Sequence, residues 1–138
     1  MKKIIRRKIF PFIAATLLFT ACNDTAEVNK TDPLESGRGF IEASLKGNYV
    51  EAKKYILQDS TNLQYFEGMK DFNSKMNSEA REGYREANII IDSTHQVSDS
   101  VTIISYSNTY KNIPSKLKMV KRDNGWLVDF KFSFNENL

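Results

Sequence analysis

The spacing of apolar residues changes once along this chain, and this change limits the fold more than any other feature. Between Asp32 and Gly83, apolar side chains recur every three or four residues, as they do on one face of a helix. From Ala87 onward they recur every second residue, which is typical of β-strands. Helices followed by consecutive strands predict an α+β domain, with the helices packed on one face of an antiparallel sheet.

Three helices are predicted before the sheet. The first begins at Asp32, which forms a capping box with Glu35, and it stops at Gly47 because glycine readily adopts the left-handed conformation. Asn48 caps a short second helix. The third is expected over residues 63–83, where apolar residues are again spaced by three or four.

About four antiparallel strands are predicted after Ala87. The first two cover residues 89–96 and 101–110, and the third lies around residues 116–120. Asp123-Asn124-Gly125 is a strong hairpin turn. The last strand has the clearest alternation, and its aromatic and aliphatic face consists of Trp126, Val128, Phe130, Phe132 and Phe134.

Two stretches resemble a known family. Phe40–Ala43 and Lys46–Tyr49, with Ala52 and Tyr55, look like the first two helices of small bacterial lipoprotein domains in the nuclear transport factor 2-like (cystatin-like) superfamily. Lys121–Trp126 resembles the closing hairpin of these domains. The resemblance implies a curved sheet wrapped around a long helix, forming a cone that can contain a pocket. Because these motifs are mostly structural, they bear on the fold much more than on the function.

The chain begins with a segment that is typical of a secretory signal peptide. An apolar run of eleven residues, Ile9–Phe19, follows five cations, and it is too short for a spanning helix, which needs about 20 residues. The cations are Lys2, Lys3, Arg6, Arg7 and Lys8. We therefore predict a leader over residues 1–21.

The end of the leader resembles the lipobox of bacterial lipoproteins. Thr20-Ala21-Cys22 matches its two small residues and its cysteine, and Phe19 stands where leucine is usual. Cys22 is the only cysteine, so an internal disulfide cannot explain it. We predict lipidation at Cys22, the alternative being a free thiol. Residues 22–31 would then be the lipidated cysteine and a flexible tether, and residues 32–138 a single domain.

The predicted location is the bacterial cell envelope, with the protein exported and held on a membrane by the lipid on Cys22. The leaflet is left open. The chain has 20 cations and 17 acids, so removal of the five cations in the leader leaves a net charge of −2. This balance gives no support for nucleic acid as a partner.

The residues whose pattern points them into the cone are mainly apolar. Candidate pocket residues are Ile41, Leu45, Ile89, Ile91, His95, Leu117, Met119, Val128, Phe130 and Phe132. Tyr106 and Tyr110 could also face the cone. His95 is the only histidine, and we interpret it as solvated or structurally bonded because no partner is identified to orient it. One histidine and one cysteine do not make a zinc site, and no phosphate loop or cofactor motif is present, so no metal or cofactor is expected.

Three functions remain open. The first is a non-enzymatic anchored domain that binds a small apolar ligand or a protein partner in the cone, and the second is a structural module with a filled core. The third is an enzyme of steroid-isomerase type, which needs an inward carboxylate whose pKa is tuned by burial. Asp92 and Asp129 both lie out of phase with the apolar faces of their strands. We therefore expect a binding or interaction domain and no enzyme.

Overall fold

The computed structural model describes residues 28–137. The elements are α1 (Pro33–Leu45), α2 (Tyr49–Lys53), α3 (Ser60–Ser74), α4 (Ser78–Glu86), β1 (Ile89–Ser98), β2 (Val101–Asn108), β3 (Ser115–Arg122), β4 (Gly125–Val128) and α5 (Phe130–Glu136). The strands form one antiparallel sheet in the order β1-β2-β3-β4. The predicted α+β class with a four-stranded antiparallel sheet is confirmed. None of the helices within residues 28–137 is both long enough and apolar enough to cross a bilayer.

The predicted starts of the first two helices are confirmed. The Asp32 carboxylate accepts hydrogen bonds from the backbone N–H groups of Leu34 at 2.8 Å and Glu35 at 3.0 Å. The Asn48 side chain accepts from the N–H of Glu51 at 3.2 Å. Gly47 has a φ of +71°, as a left-handed helix stop requires.

The predicted third helix is wrong in its extent, because it is two helices. α3 ends at Ser74, and Lys75 forms its C-cap. The Asn77 side chain then accepts a hydrogen bond from the N–H of Ala80 at 2.8 Å and begins α4. An asparagine that caps a new helix competes with continuation of the old one. The apolar spacing hides this break because Met76, inside it, is still half-buried.

The predicted long final strand is also wrong beyond Val128. The backbone N–H of Asp129 still donates to the Lys118 carbonyl at 2.9 Å, as in a strand. The chain then turns into α5, for which Asp129 is the N-cap. Residues 28–137 therefore contain five helices, four before the sheet and one after it, in place of the three predicted N-terminal helices.

Helix α5 takes over the hydrogen bonding that a longer β4 would have made with β3. The Ser133 hydroxyl accepts from the Lys118 N–H at 3.1 Å and donates to the Asp129 carbonyl at 3.1 Å. The Asn137 side chain accepts from the Lys116 N–H at 2.8 Å and donates to the Lys116 carbonyl at 2.9 Å. Two side chains spaced by one helical turn thus satisfy the edge of β3 that β4 leaves open.

Strand β1 contains a bulge that reverses which side chains face the helices. Ile91 lies opposite Tyr106, but the register shifts between Ile91 and Ser93. After the shift, His95 lies opposite Ile103 and not on the face of the buried Ile104. The expectation that His95 shares a face with Ile91 is therefore wrong, because one extra residue changes the phase of the strand.

The core lies between the inner face of the sheet and the helices. α1 can approach the sheet closely because it carries Gly37, where a Cβ would lie 2.6 Å from Cδ1 of Ile104. The Phe130 ring packs 5.7 Å from the Phe40 ring and 6.0 Å from the Phe66 ring. All three rings are buried, so the first residue of α5 joins α1 to α3.

The segment before α1 contacts the domain. Val28 packs against the core, and the Lys30 carbonyl accepts a hydrogen bond from the backbone N–H of Trp126 at 2.8 Å. The residues of the predicted tether from Val28 onward therefore lie along β4. Residues 22–27 and the predicted leader lie outside the described residues.

The edge contact made by Asn137 predicts a stability difference between two similar substitutions. Asn137→Ala should lower the free energy of unfolding of residues 28–138 by about 1–2 kcal/mol, because two backbone groups of Lys116 lose their partner. Asn135→Ala is the control, since Asn135 is exposed on the same helix. It should change stability by less than about 0.5 kcal/mol. Urea unfolding followed by the fluorescence of the single tryptophan measures both, and equal values would contradict the edge role of α5.

Candidate functional site

An open cleft of about 570 Å³ lies at the end of the sheet where β2 leads into β3. The second half of α1 and one side of α5 form most of its base, and the second half of α3 and one side of α4 form its other walls. The connection between β2 and β3 completes the rim. A volume of this size is within the range of small-molecule sites.

The base of the cleft is apolar. Four elements, α1, α3, β3 and α5, contribute the side chains that form it. These side chains are Phe40, Ile41, Leu45, Met69, Leu117, Phe130 and Phe134. Several of these side chains also belong to the core or pack against it. The cleft is therefore a continuation of the core that stays open to solvent.

Hydroxyl groups interrupt this apolar surface, and two of them, on Tyr106 and Ser44, have unusual surroundings. Burial raises the pKa of the Tyr106 phenol to about 12, an effect that the hydroxyl of Ser115 on the neighbouring strand partly offsets. The phenol is therefore neutral and can donate a hydrogen bond at physiological pH. The buried Ser44 hydroxyl has no hydrogen-bond partner among residues 28–137. A buried polar atom without a partner is costly.

The charged residues on the cleft wall are all cations. They are Lys46, Arg81, Arg85 and Lys111, and no aspartate or glutamate of the described chain lines the cleft. Lys46 pairs with Glu42, and Arg85 pairs with Glu82 at 3.1 Å, both on the exposed side of their helices. The cleft thus combines an apolar base with a positive rim.

Helix α4 is held at the rim by a contact between two tyrosines. The Tyr84 and Tyr110 rings meet edge to face with their centroids 4.9 Å apart. Gly83 lets the rings approach, because a Cβ there would collide with the Tyr110 ring. No residue of α4 is buried, so this helix covers one side of the cleft with little support from the core.

Eight of the ten candidate pocket residues fall into three groups. Ile41, Leu45, Leu117 and Phe130 line the cleft. Met119 and Val128 lie opposite each other in the closed part of the core, and both are fully buried. Ile89 and Ile91 are half-buried and pack against the core away from the cleft.

His95 and Phe132 lie elsewhere. His95 is exposed on β1, on the face that the bulge turns away from the helices. Phe132 is half-buried on α5, where the ammonium of Lys118 lies 5.2 Å from the centre of its ring. Both were placed in the cone by alternation along strands, and alternation ends at the bulge in β1 and at the start of α5.

The acids considered for catalysis lie outside the cleft wall. Asp92 is exposed. Asp129 is buried, but its carboxylate pairs with the Lys118 ammonium at 3.2 Å while it caps α5. Over residues 28–137, no group of three histidine, cysteine or acidic side chains could hold a metal ion.

The sequence did not single out Ser44, Arg81 or Lys111. Arg81 was missed because the break before α4 was not predicted. Of the two tyrosines expected near the cone, Tyr106 lines the cleft and Tyr110 supports its rim. The available signal for a new helix start was Asn77, a residue type that caps helices, with the acidic Glu79 in the turn that follows it.

No family model, curated protein or solved structure matches this chain. The function of the candidate site can therefore be inferred only from its geometry and chemistry.

The tyrosine contact predicts that Gly83→Ala loosens α4. The added methyl group should displace the Tyr110 ring, so backbone amides of α4 should exchange with deuterium at least about tenfold faster, equivalent to about 1.4 kcal/mol of lost protection. Gly68→Ala is the control, since nothing lies within 4 Å of a Cβ at that position on α3. It should slow exchange in α3, because alanine favours helix over glycine. Slower exchange in α4 of Gly83→Ala would show that helix propensity outweighs the contact.

Proposed function

We propose that this domain is a ligand-binding module that holds a small, largely apolar molecule in the cleft without transforming it. The observation that supports this most strongly is the open volume of about 570 Å³ over an apolar base. A concave apolar site with a few polar groups is the usual form of a small-molecule site.

The open cleft favours a binding module over a structural module whose cone is filled by its own aromatic side chains. Phe40, Phe66 and Phe130 fill one part of the interior, and the space beside them stays accessible. An enzyme of steroid-isomerase type would need a carboxylate facing that space. Asp92 and Asp129 do not line it, and Tyr106 is the buried titratable group that does.

We also propose that the domain belongs to the nuclear transport factor 2-like superfamily. In support, a four-stranded antiparallel sheet packs its inner face on α1. The edge strand β1 contains a bulge, and a bulge of this kind bends a strand. The cleft opens at one end of this sheet, as the proposed cone requires. This assignment concerns the fold and carries no activity with it.

For the location, we propose an exported protein that is anchored on a cell-envelope membrane through Cys22. Support comes from the basic and apolar leader and from the single cysteine at its end. Two or more acyl chains are enough for stable attachment to a bilayer, whereas one is marginal.

The binding proposal predicts that filling the cleft abolishes ligand uptake. Ser44→Phe should remove binding of a neutral apolar fluorophore, N-phenyl-1-naphthylamine, because the new ring occupies the cleft. Val50→Phe introduces the same side chain at an exposed position outside the cleft and should leave binding unchanged. Fluorescence titration of residues 28–138 measures both. If the unsubstituted domain does not bind the fluorophore saturably, or if both variants bind it equally, the cleft is not the site.

The anchoring proposal predicts the fate of Cys22→Ala. This variant should carry no acyl chain and should keep its leader, because the thiol that receives the lipid is absent. Metabolic labelling with an alkyne fatty acid, followed by gel analysis, checks both effects. Equal labelling of Cys22→Ala and the natural chain would contradict lipidation at this residue.

A further inference from the structure

We propose that the ligand of the cleft is a single-chain amphiphile with an anionic headgroup, of which a fatty carboxylate is the simplest example. This inference rests on the proposed binding function and names its ligand class. The apolar chain would lie on the base of the cleft, and the headgroup would lie at the cationic rim.

The charges on the rim favour an anion. All four charged residues on the wall are cations, and two of them, Arg81 and Lys111, make no ion pair within residues 28–137. The other two, Lys46 and Arg85, already have carboxylate partners. Arg81 and Lys111 are therefore the rim cations without a carboxylate partner among residues 28–137, although the Lys111 ammonium also lies 4.8 Å from the centre of the Tyr110 ring. A headgroup with two oxygens suits an arginine especially well, because guanidinium binds carboxylates in a bidentate manner.

The fold brings these two cations to one side of the cleft from separate elements. Arg81 lies one turn before Tyr84 on α4, and Lys111 directly follows Tyr110 after β2. The contact between the two tyrosine rings holds together the two elements that carry these cations. Like charges held on one rim repel each other, and a bound anion removes that repulsion.

The base of the cleft favours a chain over a small inorganic anion. Its side chains come from α1, α3, β3 and α5 and are mainly aromatic or aliphatic, so a compact ion would leave them exposed to water. The neutral phenol of Tyr106 adds hydrogen-bond capacity without adding negative charge. No acid of the described residues lines the wall to favour a cationic headgroup, and a neutral one would leave Arg81 and Lys111 without an anionic partner.

The test uses the full chain in discs of phosphatidylcholine and two photoreactive probes, a dodecanoic acid and a dodecanol with a diazirine on the same carbon. At equal free concentrations in the surrounding solution, the acid should label peptides of α1 and α5 about tenfold more than the alcohol does. This is the factor that one charge-assisted hydrogen bond contributes. Mass spectrometry of the digested protein locates and quantifies the label, and this comparison needs no variant.

Two double variants then test the cations. Arg81→Gln with Lys111→Gln should reduce labelling by the acid about tenfold and leave labelling by the alcohol unchanged. Lys121→Gln with Arg122→Gln makes the same change in charge on the β3–β4 hairpin, outside the cleft, and should leave both probes unchanged.

The outcomes separate this inference from the binding function on which it rests. Equal labelling of the cleft by the acid and the alcohol, with no effect of either double variant, would overturn the anionic headgroup while keeping the cleft as a binding site. If neither probe labels the cleft more strongly than it labels the outer face of the sheet, the binding function itself is overturned. Equal loss of acid labelling in both double variants would mean that overall charge, and not the rim, attracts the probe.

Discussion

The change from strand to helix at Asp129 determines the arrangement of the rest of the domain. Its backbone N–H still pairs with the Lys118 carbonyl, and the next residues form a helix that satisfies β3 through Ser133 and Asn137. An exposed strand edge with unpaired backbone groups invites pairing with other chains, and α5 prevents this. The same turn directs Phe130 between Phe40 and Phe66, which joins the sheet to two helices. It also places Phe134 on the wall of the cleft, which a longer strand would not have done.

Local signals in the sequence were enough to predict the features that depend on local chemistry. Asp32 and Asn48 cap helices wherever their side chains can reach the next backbone N–H groups. The Asp123-Asn124-Gly125 turn joins β3 to β4, and Gly125 has the positive φ that such a turn needs. The prediction failed where the same residues fit both the two-residue period of a strand and the period of a helix. Phe130, Phe132 and Phe134 alternate like a strand, yet the spacing of four from Asp129 to Ser133 and Asn137 also fits a helix, and contacts with β3 favour the helix.

The cleft was less predictable than the fold, because its residues come together only through tertiary contacts. Ile41, Leu45, Leu117 and Phe130 could be chosen as apolar residues on inward faces, and they do line the cleft. The same criterion also selects Met119 and Val128, since a closed core and an open pocket require the same side chains. The cations that distinguish the pocket from the core are on α4 and on the connection after β2. The contact between Tyr84 and Tyr110 docks α4 and so decides which cations surround the cleft. The spacing of apolar residues in the sequence does not reveal that contact.

The position of the cleft relative to the proposed anchor bears on where its ligand comes from. Lys30 lies beside Gly125 and Trp126, at the end of β3 near Arg122, whereas the cleft is lined by Ser115 at the other end of that strand. Seven steps along a strand span roughly 23 Å. A chain anchored through Cys22 would therefore leave the membrane at the end of the sheet remote from the cleft. A cleft held at that distance is better placed to take an amphiphile from the surrounding solution than to draw one directly from the bilayer that carries the anchor. Helix α4 suits this, because it buries no residue and its displacement would widen the cleft without unpacking the core.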